Sequence, residues 1–153
     1  MKEDKIKLLE DCIKYKFKNK SLLINALTHK TFAFEAKEAI EYNERIEFLG
    51  DSVLNFIVAE ELYKSNRYFS EGELTRRRAL FVNNNFLAER GKELGLGNFL
   101  QLGRGEIKQN GSRNPTNLAN ALEALIGAIF LDSDLKSVRN FILNTVFEEK
   151  IPF

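Results

Sequence analysis

Several residue types that build common functional sites are scarce in this sequence. It has one cysteine, Cys12, one histidine, His29, and no tryptophan among 153 residues. A single cysteine cannot form an internal disulfide, and a single histidine excludes a multi-histidine zinc site. A reducing cytoplasm fits this cysteine usage best, and we expect Cys12, which lies on an apolar stripe, to be buried.

Proline and long apolar runs are also rare. Two prolines and nine glycines exclude collagen-like and linker-rich classes. No apolar run approaches the ~18 residues of a membrane-spanning helix, and the charged N-terminus lacks a secretory cleavage pattern. With 44% hydrophobic residues, the chain can bury a core. We therefore predict one cytoplasmic domain, residues 1–153, with no membrane partner.

What the sequence has in abundance is helical periodicity, without the alternating pattern of strands. The predicted class is all-α, a compact helical bundle. We predict one helix over 72–94, a polar loop over 103–114 and a last helix that runs to about Phe147. The residues that can cap helix starts are Ser21, Asn43, Ser70 with Glu73, Asn114 with Pro115, and Asp134.

Two predicted helices carry acids in apolar surroundings. Over 44–64, Glu44, Glu47 and Asp51 fall within about 60° of each other, on one helix face. The remaining positions are largely apolar, so we expect this helix to be buried on most sides. Gly50 weakens the helix, and close packing against a neighbour is a reason for its presence.

The helix after Pro115 repeats this pattern. Between Leu118 and Leu131 the only strongly polar side chains are Asn120 and Glu123, three residues apart on one face. One interpretation is a buried Glu paired with Arg or Lys. Two such helices together favour a hard divalent ion, Mg²⁺ or Mn²⁺, and with it phosphodiester chemistry.

The charges are unevenly distributed, although the net charge is only +1. Residues 35–61 hold eight acids and two basic residues, whereas 64–113 hold ten basic residues and five acids. Solvated helix faces explain such runs, and so does a basic surface for a polyanion around an acidic pocket. His29 likewise has two interpretations, a structural histidine bonded to neighbouring backbone or a catalytic base.

At this point the motifs resemble a known family. The block NERIEFLGDSVL at 43–54 closely resembles the signature of the ribonuclease III endonuclease domain. Supporting blocks follow in the family order and cover nearly the whole chain: ALTHKT at 26–31, SEGELTRRRALFV at 70–82, LGLGNFLQLGRGE at 94–106 and NPTNLANALEALIGAIFLD at 114–132. The pattern is more similar to the bacterial enzyme than to the shorter mini form.

The resemblance implies an all-helical nuclease domain that acts as a homodimer. Such a domain cuts both strands of double-stranded RNA with Mg²⁺ and leaves 5′-phosphate ends and short 3′ overhangs. Its metal carboxylates match Glu47, Asp51 and Glu123, its accessory acids match Glu44 and Glu71, and an aromatic residue of its dimer interface matches Phe48. Arg104 and Lys108, in the predicted polar loop, are candidate RNA contacts.

The sequence departs from the family pattern in two respects. Asn120 stands where the family has Asp, so one metal ligand is neutral. Bacterial members usually continue into a double-stranded-RNA-binding domain, whereas this sequence ends at Phe153. The predicted function is a double-stranded-RNA endoribonuclease of RNA processing, with Asn120 in the catalytic set. The alternatives are a pseudo-nuclease that binds duplex RNA without cutting it and a purely structural helical dimer.

Overall fold

The computed structural model describes residues 1–148, so residues 149–153 of the predicted domain lie outside the described part. Within residues 1–148 no strand forms, and a single isolated bridge joins Thr28 to Gln101. The prediction of an all-α bundle is therefore confirmed. The helices are α1 (Glu3–Ile13), α2 (Lys20–Ala26), α3 (Lys30–Glu35), α4 (Glu44–Ser65), α5 (Glu71–Phe81), α6 (Asn84–Glu93), α7 (Arg104–Lys108), α8 (Pro115–Asp132) and α9 (Leu135–Phe141).

Most predicted caps begin helices as expected. Ser70 and Glu73 form a reciprocal capping box at α5. The Asn114 side chain accepts a hydrogen bond from the Thr116 N–H and so caps α8, which begins at Pro115. Asp134 caps α9 in the same way. Each cap satisfies a backbone N–H that has no partner within the helix.

Two predicted caps are wrong. Asn19, not Ser21, caps α2, because its side chain accepts the N–H of Ser21 and the helix begins one residue earlier. Asn43 precedes α4, but its side chain makes no cap hydrogen bond. Asn43 is instead buried, and its backbone N–H donates to the carbonyl of Thr28, which ties the start of α4 to the end of α2.

Local hydrogen bonding also corrects three helix predictions. The segment 72–94 is two helices, since the Asn83 side chain accepts the Phe86 N–H and starts α6. The predicted loop 103–114 contains α7 and a 3-10 turn over Gly111–Arg113. The last helix reaches the predicted end near Phe147 only through a π turn, Ile142–Val146, that follows α9.

Helix α8 is the centre of the core. It is packed by α2, α4, α6 and α9, and its apolar side chains from Leu118 to Ile129 are buried all round the helix axis. Each fully buried Leu or Ile contributes roughly 1.5–3 kcal/mol to folding. The largest fully buried side chains of α4 and α8 are Leu54, Ile57, Leu62, Leu122, Leu125 and Ile126.

Two expectations of burial are wrong. Cys12 is exposed, although it lies one turn from buried Leu9 on α1. Helix α4 is not buried on most sides, since Phe48, Phe56 and Tyr63 are exposed along one face. In residues 1–148, no helix is long and apolar enough to cross a bilayer.

Candidate active site

The candidate site lies where α4 crosses α8. A Cβ at Gly50 would overlap the carbonyl oxygen of Glu123, and a Cβ at Gly127 would overlap the carbonyl oxygen of Ile46. The two backbones are therefore in contact, which only glycine permits at these positions. Close packing of Gly50 is confirmed, and it sets the α4 acids beside the α8 acid.

Glu47 and Glu123 occupy the partly buried part of the crossing. One carboxylate oxygen of Glu47, Oε2, is buried and has no hydrogen-bond partner among residues 1–148. Glu123 is half-buried, and its side chain forms no hydrogen bond or ion pair with any described residue. A buried carboxylate oxygen without a donor is costly in free energy, so the Glu47 side chain is poorly satisfied as it stands.

The electrostatics follow from this arrangement. Burial raises the pKa of Glu123 to about 7, and the negative charges of Asp51 and Glu47 add to the shift. Burial and the neighbouring Glu44 likewise raise the pKa of Glu47, while Lys30 opposes that rise. The three carboxylates thus repel one another, and Glu47 and Glu123 are also partly desolvated, so a divalent cation would stabilise the group.

Asp51 and Glu44 lie at the solvent side of this acid group. Asp51 is exposed, and its Oδ1 accepts a hydrogen bond from Asn55 Nδ2 at 2.8 Å. Glu44 is also exposed and forms an ion pair with Lys30, with Nζ to Oε1 at 3.0 Å. We call Glu47, Asp51 and Glu123 the acid triad.

Lys30 is a residue of this region that sequence reasoning missed. It begins α3, and its ion pair with Glu44 raises the Lys30 pKa above its ordinary value. The motif ALTHKT drew attention to His29 instead. His29 caps α3 and bonds to Thr31, with Nδ1 to Oγ1 at 2.8 Å, which agrees with the structural interpretation of this histidine. The sequence signal that could have indicated Lys30 is its place directly after His29, the residue that caps α3.

Asn120 lies on α8 one turn before Glu123, on the same side of the helix. It is partly exposed, and its side chain makes no hydrogen bond within the described chain. Its amide oxygen is therefore available as a neutral ligand beside the acid triad. A full negative charge would stand here if the residue were Asp.

Glu71 is not brought to the acid triad within one chain. It begins α5, bonds to Thr75 Oγ1 at 2.9 Å and lines a groove with Tyr63. Tyr63 lies sixteen residues beyond Glu47, which is about 24 Å along the helix. Within the described residues, moreover, no three His, Cys, Asp or Glu side chains are close enough to hold a metal ion without moving.

The exposed face of α4 holds Phe48, a residue that is 77% exposed. Phe56 and Tyr63 continue this face along the helix, and we call the three side chains the aromatic stripe. Exposed aromatic rings in a row are typical of a protein interface. Phe48 is next to Glu47 in the chain, so the aromatic stripe begins at the edge of the acid triad.

The two candidate RNA contacts lie on α7. Arg104 is almost fully exposed, and its backbone N–H donates to Glu35 Oε1 at 2.9 Å. Lys108 is exposed at the end of the same helix. Glu35 ends α3, the helix that Lys30 begins, so α3 connects α7 to the α4 end that carries Glu44.

Comparison with known proteins identifies relatives of this chain. A sequence model of the Ribonuclease-III-like family matches residues 19–150. Ribonuclease 3 of Vibrio vulnificus is 48% identical over 130 residues, which are 85% of this chain and 55% of that protein. Ribonuclease 3 of Idiomarina loihiensis is 46% identical over 136 residues, 89% of this chain and 57% of that protein. The chain thus spans about half the length of these curated relatives.

Solved structures support the same assignment. The nuclease domain of ribonuclease III from Campylobacter jejuni superposes with a TM-score of 0.86 at 38% identity, covering 100% of this chain and 99% of that one. A second structure of that domain, described for structural flexibility in its region involved in dimer formation, gives 0.87 at 39% identity, with coverage of 94% and 96%. The chain belongs to the ribonuclease III family and has the fold of its nuclease domain.

Proposed function

We propose that the protein is an endoribonuclease that hydrolyses phosphodiester bonds in double-stranded RNA with Mg²⁺, or with Mn²⁺ as the alternative hard ion, for RNA processing. The products would carry 5′-phosphate ends and short 3′ overhangs. The observation that carries this proposal is the acid triad, in which the negative charges of Asp51 and Glu47 raise the pKa of Glu123 across the helix crossing and no member forms an ion pair within residues 1–148.

The residues at the crossing fit a divalent ion. Every available donor is an oxygen, which hard cations prefer, and the buried Oε2 of Glu47 lacks a partner in the described chain. Glu47, Asp51 and Glu123 would hold the ion, with the Asn120 oxygen as a neutral ligand. When bound, the ion supplies a positive charge that polarises the phosphate and acidifies water. Because the carboxylates repel one another, binding would draw them together.

Substrate recognition is proposed to rest on the positive side chains near this end of the molecule. Duplex RNA is recognised mostly through its shape, phosphates and 2′-hydroxyls. Arg104 and Lys108 extend from α7 into solvent and can reach phosphates without a change of fold. Lys30 is committed to Glu44, so its part is to hold that acid in place.

The active form is proposed to be a homodimer joined through the aromatic stripe. A twofold axis perpendicular to α4 would set the C-terminal half of one α4 against the N-terminal half of the other. That arrangement would bring Glu71 of a second copy toward the acid triad, which Glu71 of the same chain does not approach. The accessory role of Glu71 is therefore proposed only for the dimer.

A cleavage assay on one defined RNA duplex tests the proposal. We expect cleavage with Mg²⁺ or Mn²⁺, none with EDTA, and 5′-phosphate ends on the products. The matching DNA duplex should remain intact, because it lacks the 2′-hydroxyls. Cleavage that persists in EDTA, or equal cleavage of the DNA duplex, would contradict the proposal.

A second candidate function is a pseudo-nuclease that binds duplex RNA without cutting it. The specific observation in its favour is Asn120, which removes one negative charge beside the acid triad. Under this alternative, the protein retards an RNA duplex in a gel shift but produces no cleavage at any Mg²⁺ concentration. The cytoplasmic location stays a prediction from the single cysteine.

A further inference from the structure

A second cavity lies away from the acid triad, between α6, the 3-10 turn Leu96–Asn98 and the start of α8. It has a volume of about 750 Å³, which is within the range of small-molecule sites. Its floor is apolar and consists of the buried side chains of Ala88 and Leu118. Its rim is polar and consists of Asn85, Glu89, Lys92, Asn98, Ser112 and Arg113.

Two glycines shape this cavity. Gly95 has a φ of 68°, a backbone conformation that glycine adopts without strain, and it turns the chain out of α6. A Cβ at Gly97 would overlap the carbonyl oxygen of Ser112, so the two 3-10 turns meet backbone to backbone. The polar rim is therefore held by close backbone packing and does not depend on a mobile loop.

The charges at the rim are free. Neither Lys92 nor Arg113 forms an ion pair or a side-chain hydrogen bond within residues 1–148, and the same is true of Glu89. The helix α8 begins at Pro115, also on the rim, so its positive N-terminal end adds to the two cations. The two cations and the helix N-terminus favour an anionic group on the ligand. The carboxylate of Glu89 favours hydroxyl groups that can donate hydrogen bonds to it.

We infer that this cavity binds a nucleotide. Lys92 and Arg113 would hold the phosphate, because an ammonium and a guanidinium with free donors match its oxygens. Glu89 would accept hydrogen bonds from the ribose hydroxyls, a role that carboxylates fill in other nucleotide sites. The base would lie over Ala88 and Leu118. The ligand could be a free nucleotide or the terminal nucleotide of an RNA strand, and the site acts independently of the acid triad.

Binding measured in EDTA tests the site without metal at the acid triad. Adenosine 5′-monophosphate, adenosine and inorganic phosphate are titrated into the full chain and followed by calorimetry and by amide chemical shifts. We expect the monophosphate to bind at least tenfold more tightly than adenosine or phosphate, with shifts concentrated in residues 85–118. Equal affinity for adenosine would overturn the phosphate contacts, and equal affinity for inorganic phosphate would overturn the base and ribose contacts.

Variants locate the binding. Arg113→Ala removes an exposed side chain and should weaken binding of the monophosphate at least tenfold, whereas Lys136→Ala, an exposed lysine of α9, should leave it unchanged. Equal binding by wild type and Arg113→Ala would overturn the site. A short 5′-phosphorylated single-stranded RNA separates the two sources, since tighter binding of this RNA than of the monophosphate that is lost in Arg113→Ala identifies a strand end, and equal binding identifies a free nucleotide.

Discussion

The acids of α4 and α8 are bound in opposite ways at the crossing and at the C-terminal ends of the two helices. At the C-terminal end of α4, Glu60 and Glu61 are both bound by Arg139. Asp132 of α8 accepts hydrogen bonds from the Tyr15 hydroxyl at 2.8 Å and from two backbone N–H groups. At the crossing, the acid triad has no such cation in the described chain, although the same two helices carry it.

The pKa values express this difference. The hydrogen bond from Lys64 and the one from Arg139 lower the pKa of Glu60. Burial pushes the pKa of Asp132 upward, but the hydrogen bonds from Asn19, Lys18 and Tyr15 outweigh it, so the net shift is downward. At the crossing, the pKa values of Glu47 and Glu123 are raised. Acids that stabilise a fold are paired, whereas acids kept unpaired at a cost in stability indicate a binding site.

The largest expected effect distinguishes an acid at the crossing from an acid that stabilises the fold. Glu123→Gln should lower the rate of RNA duplex cleavage at least ~1000-fold, because it removes a charged ligand of the metal. The melting temperature of the metal-free protein should be unchanged or higher, since the repulsion within the acid triad falls. Single-turnover cleavage and thermal unfolding of the same preparation measure both quantities.

Glu60→Gln is the matched control on the same pair of helices. It should lower the melting temperature, because Arg139 loses one partner, and it should leave the cleavage rate within about twofold of wild type. If Glu60→Gln abolishes cleavage while Glu123→Gln leaves it intact, the catalytic role belongs to Glu60 and the assignment of Glu123 to the metal site is wrong.

The next effect concerns the aromatic stripe. In the proposed dimer it sets the C-terminal half of one α4 against the N-terminal half of the other. Phe48→Ala should weaken self-association by roughly 2–4 kcal/mol, as truncation of a central aromatic anchor does. Sedimentation measures it, with Tyr68→Ala, an exposed aromatic outside α4, as control. If Glu71 of a second copy assists the acid triad, cleavage by the variant should recover at high protein concentration. An unchanged dimer at nanomolar concentration would contradict the role of Phe48.

The sequence was sufficient for the fold class and for the face that Glu47 and Asp51 share, because helical periodicity and caps are local properties. It was insufficient where partners come from distant segments. Lys30 reaches Glu44 across a loop, and Arg139 reaches Glu60 from 79 residues away. Exposure of α4 was mispredicted because apolar residues look the same in a core and in an interface.

A third prediction adds charge at the crossing. Asn120→Asp should raise both the Mg²⁺ affinity and the cleavage rate, by at least about tenfold, because a carboxylate is a stronger ligand than an amide for a divalent ion in a partly desolvated site. The metal-free variant should be less stable, since repulsion within the acid triad grows. A single-turnover assay of both forms across a Mg²⁺ titration measures the effect. If the Asp form is no faster at any concentration, Asn120 does not take part in metal binding.

The smallest effect is a dependence of stability on pH that has opposite signs for Glu123 and Asp132. The pKa of Glu123 is about 7 in the folded chain against an ordinary value of 4.5, so folding favours its protonated form. Between these values the folded state binds more protons than the unfolded state, and stability falls as the pH rises. The full shift corresponds to about 3.4 kcal/mol, and solvent screening of a partly exposed side chain reduces the expected loss to about 1 kcal/mol.

Asp132 behaves in the opposite way. Its pKa is lowered on folding, so its contribution to stability is present above the ordinary value of 3.8 and disappears as the pH falls through the folded value. Unfolding in urea from pH 3 to 8 in EDTA measures both slopes. Glu123→Gln should reduce the decline between pH 4.5 and 7, to which Glu47 also contributes, and Asp132→Asn should flatten the rise below pH 4. If Glu123→Gln instead loses stability at pH 8, a cation stabilises the Glu123 carboxylate in the folded chain. The acids at the crossing would then not differ from the paired acids of α4 and α8.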